Sequence, residues 1–131
     1  MAQVAITYPA VTLTEMSGEF LKRVLEDVAD NLFHPDPYYQ QGGDMVRVGG
    51  LSYDMAPLAA AGSRISNMSL NGAAIEADKT YKVAGWASMQ QQDGEPIWDV
   101  VARWLRSEGN VGGANPNQPN VLGLIDNQGI A

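Results

Sequence analysis

Residues 38–47 read Tyr-Tyr-Gln-Gln-Gly-Gly-Asp-Met-Val-Arg, which gathers phenols, carboxamides, a carboxylate and a guanidinium around a glycine pair. Loops carrying such groups on a rigid scaffold are where ligands bind. The planar donor fork of Arg47 suits an oxyanion. The same residues also allow a plainer arrangement, in which Arg47 pairs with Asp44 and the tyrosines simply pack. Elsewhere the chemistry is thin. The single histidine, His34, sits in a turn beside Pro35 and Pro37 and makes a poor base for a serine nucleophile. With no cysteine and one histidine, the chain has no disulfide, no thiolate metal site and no histidine-rich metal cage. Asp27 and Asp30 fall on the polar face of a helical pattern, where solvation is the simplest role. Gly42-Gly43-Asp44 and Gly49-Gly50 lack the spacing and lysine of a phosphate loop and are read as turns. The residues alone present no complete catalytic constellation.

The 131 residues suit one domain, and 45% apolar content can fill one core. Eight basic against fifteen acidic residues give a net charge of -7. That balance argues against nucleic acid, which requires a basic face, and against a polybasic membrane contact. No apolar run approaches the ~20 residues that span a bilayer. The first residues show no basic segment followed by an apolar one, so no signal peptide is read there.

The elements that would carry the 38–47 loop follow from periodicity. Residues 4–16 alternate as a half-buried strand, with Val11 and Leu13 inward and Thr12 and Thr14 outward, and Pro9 at its start. Ser17 is placed to cap a helix. In that helix Phe20, Leu21, Val24, Leu25, Val28, Ala29, Leu32 and Phe33 form the apolar stripe, while Lys22, Arg23, Glu26, Asp27 and Asp30 face away. Pro35 and Pro37 end it. Residues 45–48 read as a short strand with Val46 and Val48 inward, which turns Met45 and Arg47 to the opposite surface. Leu51 to Met55 is extended, and Ser63 to Leu70 alternates with Ile65, Met68 or Leu70 inward. Asn71-Gly72 signals a two-residue hairpin. A polar turn at residues 76–79 leads into a strand at 80–86. A second helix opens around Pro96, with Ile97, Val100, Val101, Trp104 and Leu105 as its buried stripe and Gly109 at its end. Trp104 is read as core, whereas Trp86 is balanced between core packing and lining a pocket. Residues 110–120 are rich in Gly, Asn and Pro and read as a mobile stretch, and residues 121–125 as a last short strand. The class is α+β, a mixed sheet packed with two main helices.

Longer runs carry a resemblance. Glu15-Met16-Ser17-Gly18-Glu19-Phe20-Leu21-Lys22, Val46-Arg47-Val48-Gly49-Gly50-Leu51-Ser52-Tyr53-Asp54, Leu70-Asn71-Gly72 and Asp78-Lys79-Thr80-Tyr81-Lys82-Val83-Ala84 stand in order. Together they resemble the C-terminal domain of 5'-nucleotidases, from about Tyr8 to Leu105. Within that superfamily, Leu25-Glu26-Asp27-Val28-Ala29-Asp30-Asn31-Leu32-Phe33, the run from Pro35 to Arg47, and Gly94-Glu95-Pro96-Ile97-Trp98-Asp99-Val100-Val101-Ala102-Arg103 resemble the SoxB thiosulfohydrolases. The resemblance implies a single domain over 1–131, with a core of about 8–107 and a flexible tail of about 108–131. Nucleotidases of the superfamily clamp the base between aromatic side chains from two loops. Here the first position is Met45 and the second region reads Ser88-Met89-Gln90-Gln91-Gln92-Asp93-Gly94, without a phenylalanine. Each lost stacking contact is worth ~1–3 kcal/mol, so nucleotide hydrolysis is the weaker expectation.

The SoxB resemblance implies a hydrolase that cleaves a sulfonate from a cysteine-bound thiosulfonate on the SoxY carrier, releasing sulfate in periplasmic thiosulfate oxidation. It implies no cofactor in this chain and a dimanganese site in a separate N-terminal metallophosphatase-like domain. The partners would be that domain and the C-terminal peptide of SoxY, with neither nucleic acid nor membrane. This chain alone would be inactive and would bind substrate, with Arg47 on the anionic group and Tyr39, Gln41, Asp44 and Met45 shaping the channel. The alternatives are a specificity domain of a 5'-nucleotidase or UDP-sugar hydrolase, and a non-enzymatic interaction module.

Overall fold

The structure, a computed structural model, describes residues 10–85, 94–109 and 119–123. The expectations for Pro9, Trp86, residues 88–93 and most of the 110–120 stretch lie outside them. In chain order the elements are β1 (Ala10–Ser17), α1 (Gly18–Phe33), a 3-10 turn (Pro37–Tyr39), β2 (Leu51–Met55), β3 (Ile65–Leu70), β4 (Ala73–Ala74), β5 (Thr80–Gly85), β6 (Glu95–Pro96), α2 (Ile97–Glu108) and β7 (Asn120–Val121). Mixed sheets with two helices make this an α+β fold, as the residue pattern indicates. Contacts divide the chain into two compact units, one holding β1, β5, β6 and α2, the other α1, β2, β3, β4 and β7.

The second unit carries the 38–47 loop. Its helix starts where Ser17 leaves helical geometry (φ -71°, ψ 157°) and its Oγ accepts from the Phe20 amide at 3.1 Å. The polar turn at 76–79 closes over the same end: the Gly18 amide donates to the Lys79 carbonyl and the Glu19 amide to the Ala77 carbonyl, each at 3.0 Å. Those contacts satisfy amides that a helix start otherwise leaves orphaned. They also press the turn against Gly18, where a Cβ would lie 2.2 Å from the Glu76 carbonyl oxygen and 2.7 Å from Ile75 Cγ2. Alanine ordinarily strengthens a helix relative to glycine, by about 1 kcal/mol. Here backbone blocks it, and overpacking costs of ~1–3 kcal/mol outweigh the propensity gain. Gly18→Ala should therefore lower the urea midpoint. A raised midpoint would contradict the close approach.

The core is Leu25 and Ala29 of α1 against Tyr53 and Met55 of β2 and Ile65 of β3, with Phe33, Met45, Val48, Leu51 and Met68 packed around it. The sheet runs β4-β3-β2-β7, with β2 antiparallel to β3 and parallel to β7. The β3–β4 turn has Asn71 at φ 51° and Gly72 at φ 84°, the two positive φ values that a tight hairpin of this twist demands. A bulge lies between the Ser52–Ser69 and Asp54–Ser66 pairs, where β3 holds one extra residue and Asn67 takes φ 50°. The bulge brings Asn67 Nδ2 within 2.7 Å of Asp54 Oδ2, while Asn120 Nδ2 donates to Asp54 Oδ1 at 2.9 Å. These two donors hold the Asp54 carboxyl below its ordinary pKa and tie β7 to β2.

Tyr53 is 3% exposed, and its hydroxyl finds no partner among the described residues. Burial pushes its pKa up. An unpaired buried hydroxyl costs ~1–3 kcal/mol, and Tyr53→Phe removes it without changing the ring. The variant should be more stable by about 1 kcal/mol in equilibrium denaturation. A loss of that size would mean the hydroxyl is bonded in solution.

The first unit contains the sheet β5-β1-β6 and α2. Its strand alternation has the opposite sense to the one expected. Leu13 is 68% exposed, whereas the Thr12 and Thr14 hydroxyls donate to the Gly85 and Val83 carbonyls of β5. Threonine here acts through its hydroxyl, which the apolar–polar pattern counts as an outward group. Ala10–Pro96 and Val11–Glu95 pair antiparallel, so the residues before α2 form a two-residue strand rather than its first turn. Arg103 clasps Glu95 with both terminal nitrogens, Nη2 at 2.8 Å from Oε2, lowering the carboxyl pKa and raising that of the guanidinium. The α2 stripe is half-buried at Ile97, Val100 and Val101, but Trp104 and Leu105 are exposed, which corrects the reading of Trp104 as core. Gly109 ends the helix at φ 70°, its amide donating to the Leu105 carbonyl.

Candidate functional site

The loop that follows α1 is built from local hydrogen bonds. His34 cannot continue the helix into Pro35, and its Nδ1 accepts from the Asp36 amide at 3.1 Å. Asp36 in turn accepts the Tyr38 amide on Oδ1 at 2.9 Å and the Tyr39 amide on its carbonyl at 3.1 Å, which sets the 3-10 turn. The Gln40 side chain reaches back to the His34 carbonyl at 2.7 Å. The Gln41 and Gly42 amides both point at the Asn31 carbonyl in the last turn of α1, at 2.9 and 3.3 Å. The aromatic tip is therefore exposed, on a turn whose backbone is hydrogen-bonded. Tyr38 and Tyr39 are 87% and 60% exposed, with rings 5.4 Å apart at 89°, and Tyr39 leans on His34 at 5.0 Å.

Gly42 and Gly43, at φ 77° and 102°, then turn the chain through conformations that other residues rarely adopt. Residues 45–48 are not a strand. Both edges of β2 are already taken by β3 and β7, so β2 offers this segment no ladder. The segment buries residues three apart: Met45 and Val48 pack on the core, while Val46 is 41% exposed and Arg47 is exposed. This reverses the expected partnership. Met45 does not share a surface with Arg47, and the two valines are not a core pair. Among the described residues no hydrogen bond or ion pair joins Arg47 to Asp44, and both are exposed. Of the five expected substrate contacts, Tyr39, Gln41, Asp44 and Arg47 lie exposed along one loop, and Met45 anchors it from beneath.

Beside α1 lies a charged cluster that periodicity does not reveal. Glu26, assigned to the polar face, is 7% exposed. Its Oε2 accepts the Gly62 and Arg64 amides at 3.1 and 3.2 Å, and its Oε1 the Ile65 amide at 2.8 Å. Arg64, 2% exposed, donates to Asp30, so Asp30 is paired rather than simply solvated. The one sequence signal was the pair of charges, Glu26 and Asp30, four residues apart and bordering the apolar stripe. By contrast, Phe20 and Val24, placed in that stripe, are 38% and 36% exposed.

Chemically, the 38–47 loop offers one exposed guanidinium, a carboxylate, carboxamides and an exposed aromatic pair, of which the guanidinium is suited to holding an anionic group. Among the described residues no three His, Cys, Asp or Glu side chains are grouped to hold a metal ion, and no helix is long and apolar enough to cross a membrane.

The family model for the 5'-nucleotidase, C-terminal domain, matches residues 3–103. A solved structure described as "Termus thermophilus Sulfate thiohydrolase SoxB in complex with glycerol" superposes with a TM-score of 0.73 at 37% identity, covering 91% of this chain and 23% of that one. A putative 5'-nucleotidase from Staphylococcus aureus, solved with alpha-ketoglutarate, gives a TM-score of 0.58 at 17% identity, covering 86% of this chain and 27% of that one, a likeness of fold alone. A search of curated proteins gave no match. The chain thus spans about a quarter of the length of these solved relatives. Family model and structural match agree that the chain belongs to the 5'-nucleotidase C-terminal domain family, as a domain of SoxB type.

Proposed function

We propose that this chain is the substrate-binding domain of a SoxB-type thiosulfohydrolase, acting on a cysteine-bound thiosulfonate of a SoxY-type carrier in the periplasm. The observation that carries this reading is the 37% identity over 91% of the chain to a sulfate thiohydrolase, together with an exposed arginine on the 38–47 loop. In the reaction, water oxygen adds to the sulfonate sulfur, the sulfur–sulfur bond breaks, and sulfate leaves while the sulfane sulfur stays on the carrier and protons pass to solvent. A dimanganese site in the N-terminal metallophosphatase-like domain would activate that water. This chain's part is binding. Arg47 holds the sulfonate through charge-assisted hydrogen bonds, and Tyr39, Gln41 and Asp44 line the path of the carrier peptide. Met45 acts from below, fixing the segment to the core.

The test is substrate choice by the full-length protein. Sulfate release from a thiosulfonate-loaded carrier with no saturable turnover of adenosine monophosphate supports the proposal. Efficient phosphate release from the nucleotide, without sulfate release, would move the assignment to the nucleotidases. The proposal also has the 131-residue chain silent toward both substrates, because the bond-breaking groups belong to the other domain.

A further inference from the structure

The buried Arg64 serves a purpose that core packing does not require. Its planar fork is filled on three sides: Nε donates to the Pro57 carbonyl at 3.2 Å, Nη1 to Asp30 Oδ1 at 2.6 Å, and Nη2 to the Phe33 carbonyl at 3.2 Å. Phe33 is the last residue of α1, and that last turn has no basic residue of its own. A helix C-terminus presents orphan carbonyls and partial negative charge, which a cation relieves. Arg64 supplies that cation from 31 residues further along the chain. Glu26 aims it, because the same carboxylate that accepts the Gly62 and Ile65 amides also accepts the Arg64 amide.

The turn so held is the anchor of the 38–47 loop. Asn31, whose carbonyl receives the Gln41 and Gly42 amides, lies between Asp30 and Phe33, the two α1 residues that Arg64 grips. We infer that Arg64 is a positioning residue for the loop, fixing the end of α1 so that Tyr39, Gln41 and Arg47 are presented in one geometry. That this geometry matters to substrate rests on the function proposed above. Lysine cannot substitute, since a single ammonium does not span three acceptors.

Hydrogen exchange and steady-state kinetics on the full-length protein test the inference with Arg64→Lys and Asp30→Ala. The second variant guards against misfolding, because the Asp30 side chain is 37% exposed and alanine suits a helix. Both variants should speed exchange of the Gln41 and Gly42 amides about tenfold, the loss of one hydrogen bond to a charged group, while amides of β2 and β3 keep their protection. KM for the thiosulfonate carrier should rise with kcat nearly unchanged. Equal loss of protection across β2, β3 and the loop, or none in the loop, would overturn the positioning role. Selective loosening of the loop with unchanged KM would keep that role and refute the loop as the substrate surface.

Discussion

In the full-length protein, Arg47→Met should lower kcat/KM for the thiosulfonate carrier ten- to hundred-fold and leave the melting temperature nearly unchanged. Methionine keeps a comparable stem but no donors. A hydrogen bond to a charged group contributes ~1.5–3 kcal/mol, and 1.4 kcal/mol is a factor of ten. The expectation of an undisturbed fold follows from exposure: Arg47 is exposed and packs in no part of the core, unlike its neighbours Met45 and Val48. It also carries the only guanidinium or ammonium between residues 34 and 50, so no neighbouring cation in that stretch can take over. Steady-state kinetics and a thermal melt on the same preparation decide it. Full activity with a markedly lower melting temperature would make Arg47 a structural partner of some other group, and the anion-holding role would fall.

Glu26→Gln should remove about 3 kcal/mol of stability, a large share of the ~5–15 kcal/mol that holds a typical domain. The substitution is nearly isosteric, so packing hardly changes. What changes is the supply of acceptors. Glu26 presents Oε2 to two amides and Oε1 to a third, at 2.8 to 3.2 Å. Glutamine has one acceptor oxygen, so its amide nitrogen must face at least one backbone N–H, leaving a donor buried and unsatisfied. Denaturant unfolding of the wild type and variant measures the difference. A loss below about 0.5 kcal/mol would show that water reaches those amides.

Both variants bear on what the residues disclosed in advance. Local rules were legible. Ser17 before an apolar stripe, the prolines after Phe33, Asn71-Gly72 between short extended runs, and Gly109 after a helical pattern each act within a few residues, and each appears in place. Errors arose where a partner lies far along the chain. Glu26 counts as polar in any periodic reading, and only amides 36 to 39 residues away make its burial tolerable. Leu13 and the β1 threonines exchanged roles because the hydroxyls bond to carbonyls about 70 residues on. Residues 45–48 alternate in sequence but form no strand, so Met45 packs on the core and not on the surface that alternation gives it. The exposure of Arg47 does not depend on that geometry, since a loop is expected at 38–44 and Arg47 faces outward with or without a strand.

In the proposed function the 38–47 loop receives an anionic group carried on a peptide. Backbone chemical shifts of the labelled protein, titrated with a SoxY-type C-terminal peptide bearing a cysteine-bound thiosulfonate, address it most directly. Perturbations are expected to concentrate at Tyr38, Tyr39, Gln41, Asp44 and Arg47, to be abolished in Arg47→Met and to be much weaker with the peptide in its free thiol form. Perturbations clustered on α2 or on β3 and β4, or equal for the thiosulfonate and thiol peptides, would contradict it.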